Sequence, residues 1–223
     1  MASTTETSPG IKERLKASYD GVAVTYNKWT EKHSPRRLEY LEKLKDHVPS
    51  LAKSDHTVSV VELGCGPGSP VLSHLLSGNE QLHAVANDLS TTQMALAEEN
   101  LKAYTSRVSF LPGDMMQLSV PDDSQTAVVA LYSLIHLPAN EQAIMVQRIA
   151  GWLKTGGCLL ANFAKEDTDH VMEKWLDKED WMFWSGMGVE GTLKVLKEAG
   201  FSLESSKVEG DEEETFLWVI AKK

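Results

Sequence analysis

Cysteine is scarce in this chain. Of 223 residues only two are cysteines, Cys65 and Cys158, too few for a disulfide framework and short of a structural zinc site, so a reducing compartment fits best. Long apolar runs are missing too: nothing approaches the roughly 18 residues of a membrane-spanning helix. The amino end, MASTTETSPG, lacks the basic start and apolar core of a secretory signal. Positive charge is in deficit, 22 Lys+Arg against 32 Asp+Glu for a net −10, and such a field repels phosphate backbones and anionic lipid surfaces. No nucleic acid and no membrane partner is therefore expected, and the location is expected to be cytoplasmic. The rest of the composition is ordinary, with 42% hydrophobic and 24% charged residues, 15 Gly and 8 Pro, which excludes disordered, collagen-like and coiled-coil chains. At roughly 150 residues per domain, the length suits a flexible terminus over 1–10 followed by a single domain over 11–223.

Along the chain, helical periodicity dominates first. Residues 11–50 read as an N-terminal helical cap, with Leu38, Leu41, Leu44 and Val48 on one face. The texture then changes to short β-branched runs alternating with helices. Val58–Leu63 reads as a strand ending in Gly64-Cys-Gly-Pro-Gly68, with a helix at 72–76 behind it. Leu82–Asn87 is a second strand, and Ser90 with Gln93 three residues on forms a capping-box start for the next helix. Further strands are predicted at 107–111, 125–134 and 158–163, the fourth central because its apolar run is nearly continuous, with a helix over 140–153 before the fifth. Strands alternating with helices imply right-handed crossovers and a doubly wound parallel α/β sheet. The last helix ends at Gly200, and Phe201–Val208 and Phe216–Ala221 flank a turn, so they predict an antiparallel edge hairpin.

In such sheets ligands lie at the carboxyl ends of the strands. Glycines two apart where the first strand meets its helix let a ligand rest directly on the backbone. Position 69 is Ser, so the pattern is G-x-G-x-G and not the dinucleotide G-x-G-x-x-G. Glu62 would repel a pyrophosphate there and would suit an ammonium-bearing ligand. With these residues the chain resembles the class I S-adenosylmethionine-dependent methyltransferases, whose first motif is similar to acidic-x-G-x-G-x-G. Asn87-Asp88-Leu89-Ser90 resembles their ribose-binding step, and Gly113-Asp114-Met115 their adenine-edge motif. The resemblance runs over about Tyr19 to Lys223. It implies a seven-stranded Rossmann-like sheet, S-adenosyl-L-methionine as cofactor and S-adenosyl-L-homocysteine as product. Transferred residue by residue, it places the cofactor on Glu62, Gly64, Cys65, Gly66, Asp88, Leu89, Asp114, Met115 and Ser133. Tyr19 and Tyr26 fold over it from a segment similar to Y-D-x-x-A-x-x-Y; they equally suit packing of the cap on the sheet.

The acceptor side is read from three segments. Tyr132-Ser-Leu-Ile-His136 follows the fourth strand, and His136 stands there as a general base or as a shaper of the pocket, with Tyr132 beside it as a second catalytic candidate. Half of the six tryptophans fall between 175 and 187, inside an insertion over 165–190. Trp181, Phe183 and Trp184, with Trp29 of the cap, are expected to form a lid over an apolar or aromatic substrate, with Gly186 and Gly188 as hinges; plain packing or a dimer contact is the competing use. Consecutive carboxylates at Asp211–Glu214 are expected to be a solvated turn, and no metal is predicted. The sequence therefore predicts methylation of a small molecule on O, N or S by a monomer or homodimer. The alternatives are a protein methyltransferase or a methyltransferase-fold protein that binds the cofactor without methylating, as in a guided cyclisation.

Overall fold

The computed structural model describes residues 8–176, 180–211 and 213–223, with the side chain of Asp180 not described. Its frame is a sheet of the order β3-β2-β1-β4-β5-β9-β8, built from β1 (Val58–Leu63), β2 (Leu82–Asp88), β3 (Val108–Pro112), β4 (Gln125–Ala130), β5 (Leu153–Ala164), β8 (Ser202–Gly210) and β9 (Thr215–Lys222). The first five run parallel. β9 runs antiparallel to β5 and to β8, giving the expected edge hairpin. β4 is central, as its composition predicts.

Every residue from Ala127 to Ala130 is buried because both faces of β4 are covered. Ala127 and Val129 join a core with Tyr40, Leu41, Leu44, Leu72 and Leu75 from α2 (Ser34–His47) and α3 (Val71–Gly78). Val128 and Ala130 face Met145, Ile149 and Leu196 from α5 (Ala139–Trp152) and α6 (Gly188–Glu198). Each such aliphatic side chain removed from water contributes roughly 1.5–3 kcal/mol before entropy is counted. Among the described residues no helix is long and apolar enough to cross a membrane.

The chain visits β1, β2 and β3 in one direction and then returns to β4 and β5 on the other side of β1. The two connections leaving β1 and β4 therefore diverge, and a crevice opens between their carboxyl ends. Across it lies α1 (Ser8–Thr30). Its underside packs Ile11 and Leu15 against Trp181, Met182 and Phe183. Its rim is held by polar contacts. Asp20 accepts from Ser90 Oγ at 2.6 Å and Thr92 N at 3.0 Å, placing a carboxylate on the N-terminus of α4 (Thr91–Asn100). Asn27 and Gln93 exchange two amide bonds of 2.9 Å, and Ser18 Oγ accepts from Trp181 N at 3.0 Å.

Several boundaries differ from the sequence reading. Residues 8–10 of the expected flexible terminus are helical, while 1–7 lie outside the described residues. The fourth strand stops at Ala130, not at 134, because Tyr132 takes φ of 58°, which no extended strand tolerates, and Leu134–His136 form a 3-10 turn. The fifth strand starts at Leu153, directly after α5, so the helix ends before Gly156-Gly157 and not at it. The capping box is half formed: Ser90 Oγ accepts from Gln93 N at 3.1 Å, but the Gln93 side chain is committed to Asn27. The segment 165–190 holds a separate antiparallel pair, β6 (Asp167–Trp175) and β7 (Asp180–Met187), which the sequence does not announce.

Candidate functional site

One pocket fills the crevice. It is lined from below by Glu62, Gly64, Cys65, Gly66, Asp88, Leu89, Asp114, Met115, Tyr132, Ser133 and His136, and from above by Lys12, Leu15, Tyr19 and Tyr26 of α1, with Thr30 and Arg37. All the cofactor-side residues named from the sequence thus converge on one cavity.

The floor is glycine-dependent. Gly64 has φ of 71°, and a Cβ there would stand 2.4 Å from Ser133 Cβ, so only glycine lets β1 turn beside the exit of β4. At Gly66 a Cβ would meet nothing within 4 Å; it would project into free space where a ligand can rest on the backbone. Asp88 shapes the same turn, its Oδ2 accepting from Gly66 N and its Oδ1 from Ser90 N, both at 2.8 Å. Burial pushes its carboxyl up to about 6. Asn87 Nδ2 donates to Leu111 O and Gly113 O at 2.7 and 3.0 Å, tying the tip of β2 to that of β3. Asp114 accepts from Met116 N at 2.9 Å and from Lys12 Nζ at 2.7 Å.

Glu62 is the outlier in electrostatic terms. It is 5% exposed, it accepts from the Leu72 backbone, and burial pushes its carboxyl up to about 8. Its Oε2 is buried without any hydrogen-bond partner. An unpartnered buried carboxyl oxygen is costly, and a bound cation would satisfy it.

His136 is fixed by two contacts. Nδ1 lies 2.7 Å from Phe183 O; a carbonyl only accepts, so Nδ1 carries the proton. Nε2 is therefore an acceptor, and it receives the Tyr19 hydroxyl at 2.8 Å. Burial pushes the imidazole down to about 4, so it is neutral near pH 7. Tyr132 donates its hydroxyl to Glu214 Oε1 at 2.6 Å, which together with burial raises its pKa, so it is neither free nor ionised.

The aromatic residues divide. Phe183 is fully buried and Trp181 is 4% exposed; both pack between β7 and α1, and neither lines the pocket. Arg14 stands 4.2 Å over the Trp181 ring. Trp184 faces the His136 ring at 6.3 Å. Trp29 lies outside the pocket lining, 6.1 Å from Tyr26. Trp175 joins these groups, its ring 5.8 Å from Tyr19, 5.3 Å from Tyr26 and 6.1 Å from Trp184. Gly186 has a packing role, since a Cβ there would approach Ala164 Cβ to 2.5 Å, whereas Gly188 takes φ of 65°.

Residues that escape the sequence reading include Lys12, Leu15, Thr30 and Arg37 in the pocket lining and Glu214 behind Tyr132. The Asp211–Glu214 turn is not simply solvated. Glu214, with 12% side-chain exposure, also meets His33 Nδ1 at 3.1 Å, and Glu213 pairs with Lys32. Arg37 carried a readable signal, because it falls in phase with Tyr40, Leu41 and Leu44 on the apolar stripe of α2.

Sheet order, switch-point crevice and glycine floor together define the Rossmann-like methyltransferase architecture. Comparison with known proteins points the same way: residues 60–157 match the model of a methyltransferase domain, which supports a class I S-adenosylmethionine-dependent methyltransferase. It is 34% identical over 170 residues to a 27-O-demethylrifamycin SV methyltransferase of Amycolatopsis mediterranei, covering 66% of this chain and 55% of that protein. It is 27% identical over 124 residues to a chicken (Gallus gallus) tRNA N(3)-cytidine methyltransferase, covering 53% of this chain and 34% of that one. The chain thus spans about a third to a half of the length of these curated relatives. Among solved structures, the fold is similar to a 1,6-didemethyltoxoflavin-N1-methyltransferase of Burkholderia thailandensis with bound S-adenosylhomocysteine, at a TM-score of 0.76 and 14% identity, covering 100% of this chain and 93% of that one.

The family's cofactor fits the residues present. The orphaned Glu62 Oε2 suits its ammonium group, the open space over Gly66 suits its passage along the backbone, and Asp88 and Asp114 offer acceptors to hydroxyl and amino groups. One expected result follows from the raised pKa of Glu62. Without ligand the carboxyl is largely protonated at pH 7; beside an ammonium it must ionise, so binding releases roughly one proton there. Affinity for S-adenosylhomocysteine should rise from about pH 6 toward 8 and level off as the ligand's own amine, with a pKa of about 8, deprotonates. Calorimetry in two buffers of different ionisation enthalpy checks this: equal heats in both would refute it. The same shift makes the ligand-free protein lose stability as pH rises from about 4.5 through 8, since the folded state then holds a proton that the unfolded chain gives up.

Proposed function

We propose that this protein transfers a methyl group from S-adenosyl-L-methionine to O, N or S of a small apolar or aromatic molecule. The observation that carries the acceptor side is His136: a neutral imidazole in the pocket wall whose one acceptor position, Nε2, is held by nothing stronger than the Tyr19 hydroxyl. The cofactor, when bound, supplies an electrophilic methyl on a sulfonium. Glu62, Gly64, Gly66, Asp88 and Asp114 hold it, with Cys65, Leu89, Met115 and Ser133 as neighbouring walls and Tyr19 and Tyr26 above.

In this reading His136 Nε2 accepts the proton of an O–H or S–H acceptor, exchanging the Tyr19 hydroxyl for it. Trp184, Trp175 and Trp29 supply apolar faces toward the mouth, while Trp181 and Phe183 act from behind by seating α1 and positioning the Phe183 carbonyl. The charge of −10 and the half-buried aromatic mouth support a small molecule over a nucleic acid. The 27-O-demethylrifamycin SV enzyme, a relative by sequence, is named for such a substrate. The test is incubation of cell extract with the protein and deuteromethyl-labelled cofactor. One small-molecule product shifted by the label is expected; label found only in protein or RNA would overturn the substrate class, and cofactor binding without any labelled product would favour a non-methylating role.

A further inference from the structure

Among the described residues, β7 pairs with β6 on one side and with no strand on the other. Residues two apart on a strand turn their backbone groups to the same side, and along this open edge Trp181, Phe183 and Ser185 follow one another. Trp181 N donates to Ser18 Oγ of α1 at 3.0 Å. Phe183 O accepts from His136 Nδ1 at 2.7 Å, and Ser185 O accepts from Gln142 Nε2 at 3.0 Å. An edge that would otherwise invite another strand is thus occupied by α1, the imidazole and the first turn of α5.

Gln142 and Ser185 are both fully buried and form one cluster. The Gln142 amide also reaches Ser185 Oγ and Leu137 O, each at 2.9 Å, and Ser185 Oγ donates to Leu137 O at 2.6 Å. Three oxygens face one nitrogen, which forces the orientation of the amide. Its own oxygen, turned away, is buried without a hydrogen-bond partner among the described residues. A methionine would fill the same space without that cost. What the amide adds is a pair of donors that join β7 to the residue following His136.

The join bears on which ring nitrogen of His136 carries the proton. Burial pushes the imidazole down to about 4, so near pH 7 the ring is neutral and its hydrogen-bond partners select the tautomer. The Tyr19 hydroxyl can donate to a bare nitrogen or accept from a protonated one, so it selects neither. Phe183 O does select, provided that it stays opposite Nδ1. Its position is fixed two residues along β7, at Ser185, and that of the ring one residue along the chain, at Leu137. We infer that Gln142 and Ser185 are positioning residues that clamp these two backbone points together and so keep Nε2 of His136 bare to receive the acceptor's proton. This rests on the reading of His136 as the base.

The test is nitrogen NMR of the His136 ring at pH 7 in wild type, Gln142→Met and Ser185→Ala, each with S-adenosylhomocysteine bound, beside the rate of labelled product formed from cell extract. Wild type should carry its proton on Nδ1 alone. Gln142→Met, which keeps the volume and removes the donors, should show both tautomers and form product about tenfold more slowly or worse, with S-adenosylhomocysteine affinity within about threefold of wild type. Ser185→Ala leaves Gln142 on the two carbonyls and should lie between; should Gln142→Met fail to fold, Ser185→Ala decides by the same readings. A proton confined to Nδ1 in both variants would overturn the inference alone, even if the rate fell, since a merely structural residue would act in that way. Mixed tautomers with an unchanged rate would overturn the base reading and with it the purpose of the clamp. Absence of labelled product in wild type would overturn the methyl-transfer reading, and the ring spectra would still decide whether the clamp exists.

Discussion

Asp88→Ala should weaken S-adenosylhomocysteine binding by two orders of magnitude or more while the protein stays folded. The carboxylate fixes Gly66 N and Ser90 N at 2.8 Å each, and it lines the pocket where the resemblance places the ribose. Hydrogen bonds to a charged partner contribute roughly 1.5–3 kcal/mol each, so losing two toward the ligand costs about 10²–10⁴-fold, before any distortion of the glycine turn is added. Asp88→Asn separates the two contributions. It keeps one acceptor and the shape of the turn, and should bind at an intermediate level. Calorimetric Kd values within threefold of wild type for the alanine variant would remove Asp88 from the cofactor site. Because burial lifts its carboxyl to about 6, the ligand-free protein also favours the protonated form below that pH, which adds to the loss of affinity in acid.

The second large effect is expected at His136. Removing a positioned base typically lowers turnover by about 10²–10⁴-fold. His136→Gln should therefore cut kcat with little change in cofactor affinity, once an acceptor is in hand. The pH profile carries the stronger discrimination. With its imidazole pushed down to about 4, His136 loses its accepting lone pair only as pH falls through that value, so kcat should show no inflection near the ordinary 6.5 of histidine. The linked stability has the opposite direction to that of Glu62. The unfolded chain binds the proton first, so folding is weakened as pH drops from 6.5 toward 4 and regains its full value above 6.5. A kcat preserved in His136→Gln would leave the residue a support for Tyr19 and for the Phe183 carbonyl.

Much of this could be read from the amino acids because the fold announces itself through changes of period. β-branched runs such as Val58–Leu63 and Ala127-Val-Val-Ala end at residues that carry the chemistry, and glycine spacing marks where backbone must come close to something else. The hairpin of β6 and β7 could not be read in the same way. Asp167-Thr-Asp-His-Val-Met-Glu-Lys-Trp175 is largely exposed and polar, so no buried face imposes alternation on it. The aromatic residues of β7 suggested a pocket wall because aromatic content does not say which side of a strand it occupies; Trp181 and Phe183 are committed to α1, and Trp184 faces His136. Tyr132 ended its strand early through a positive φ that no glycine or asparagine signals. Glu214 was hidden inside a run of carboxylates whose members look alike until one of them meets Tyr132 and His33.

The polar rim of α1 has a kinetic consequence. For a bound nucleoside to leave past this helix, Asp20 must give up Ser90 and Thr92, Asn27 must part from Gln93, and Ser18 from the Trp181 backbone. At roughly 0.5–1.5 kcal/mol net for each bond, departure by that route should quicken in Asp20→Ala and Asn27→Ala, as stopped-flow release of S-adenosylhomocysteine would show. Residence time in the crevice would then be set in part by Asp20 and Asn27, two side chains absent from the pocket lining.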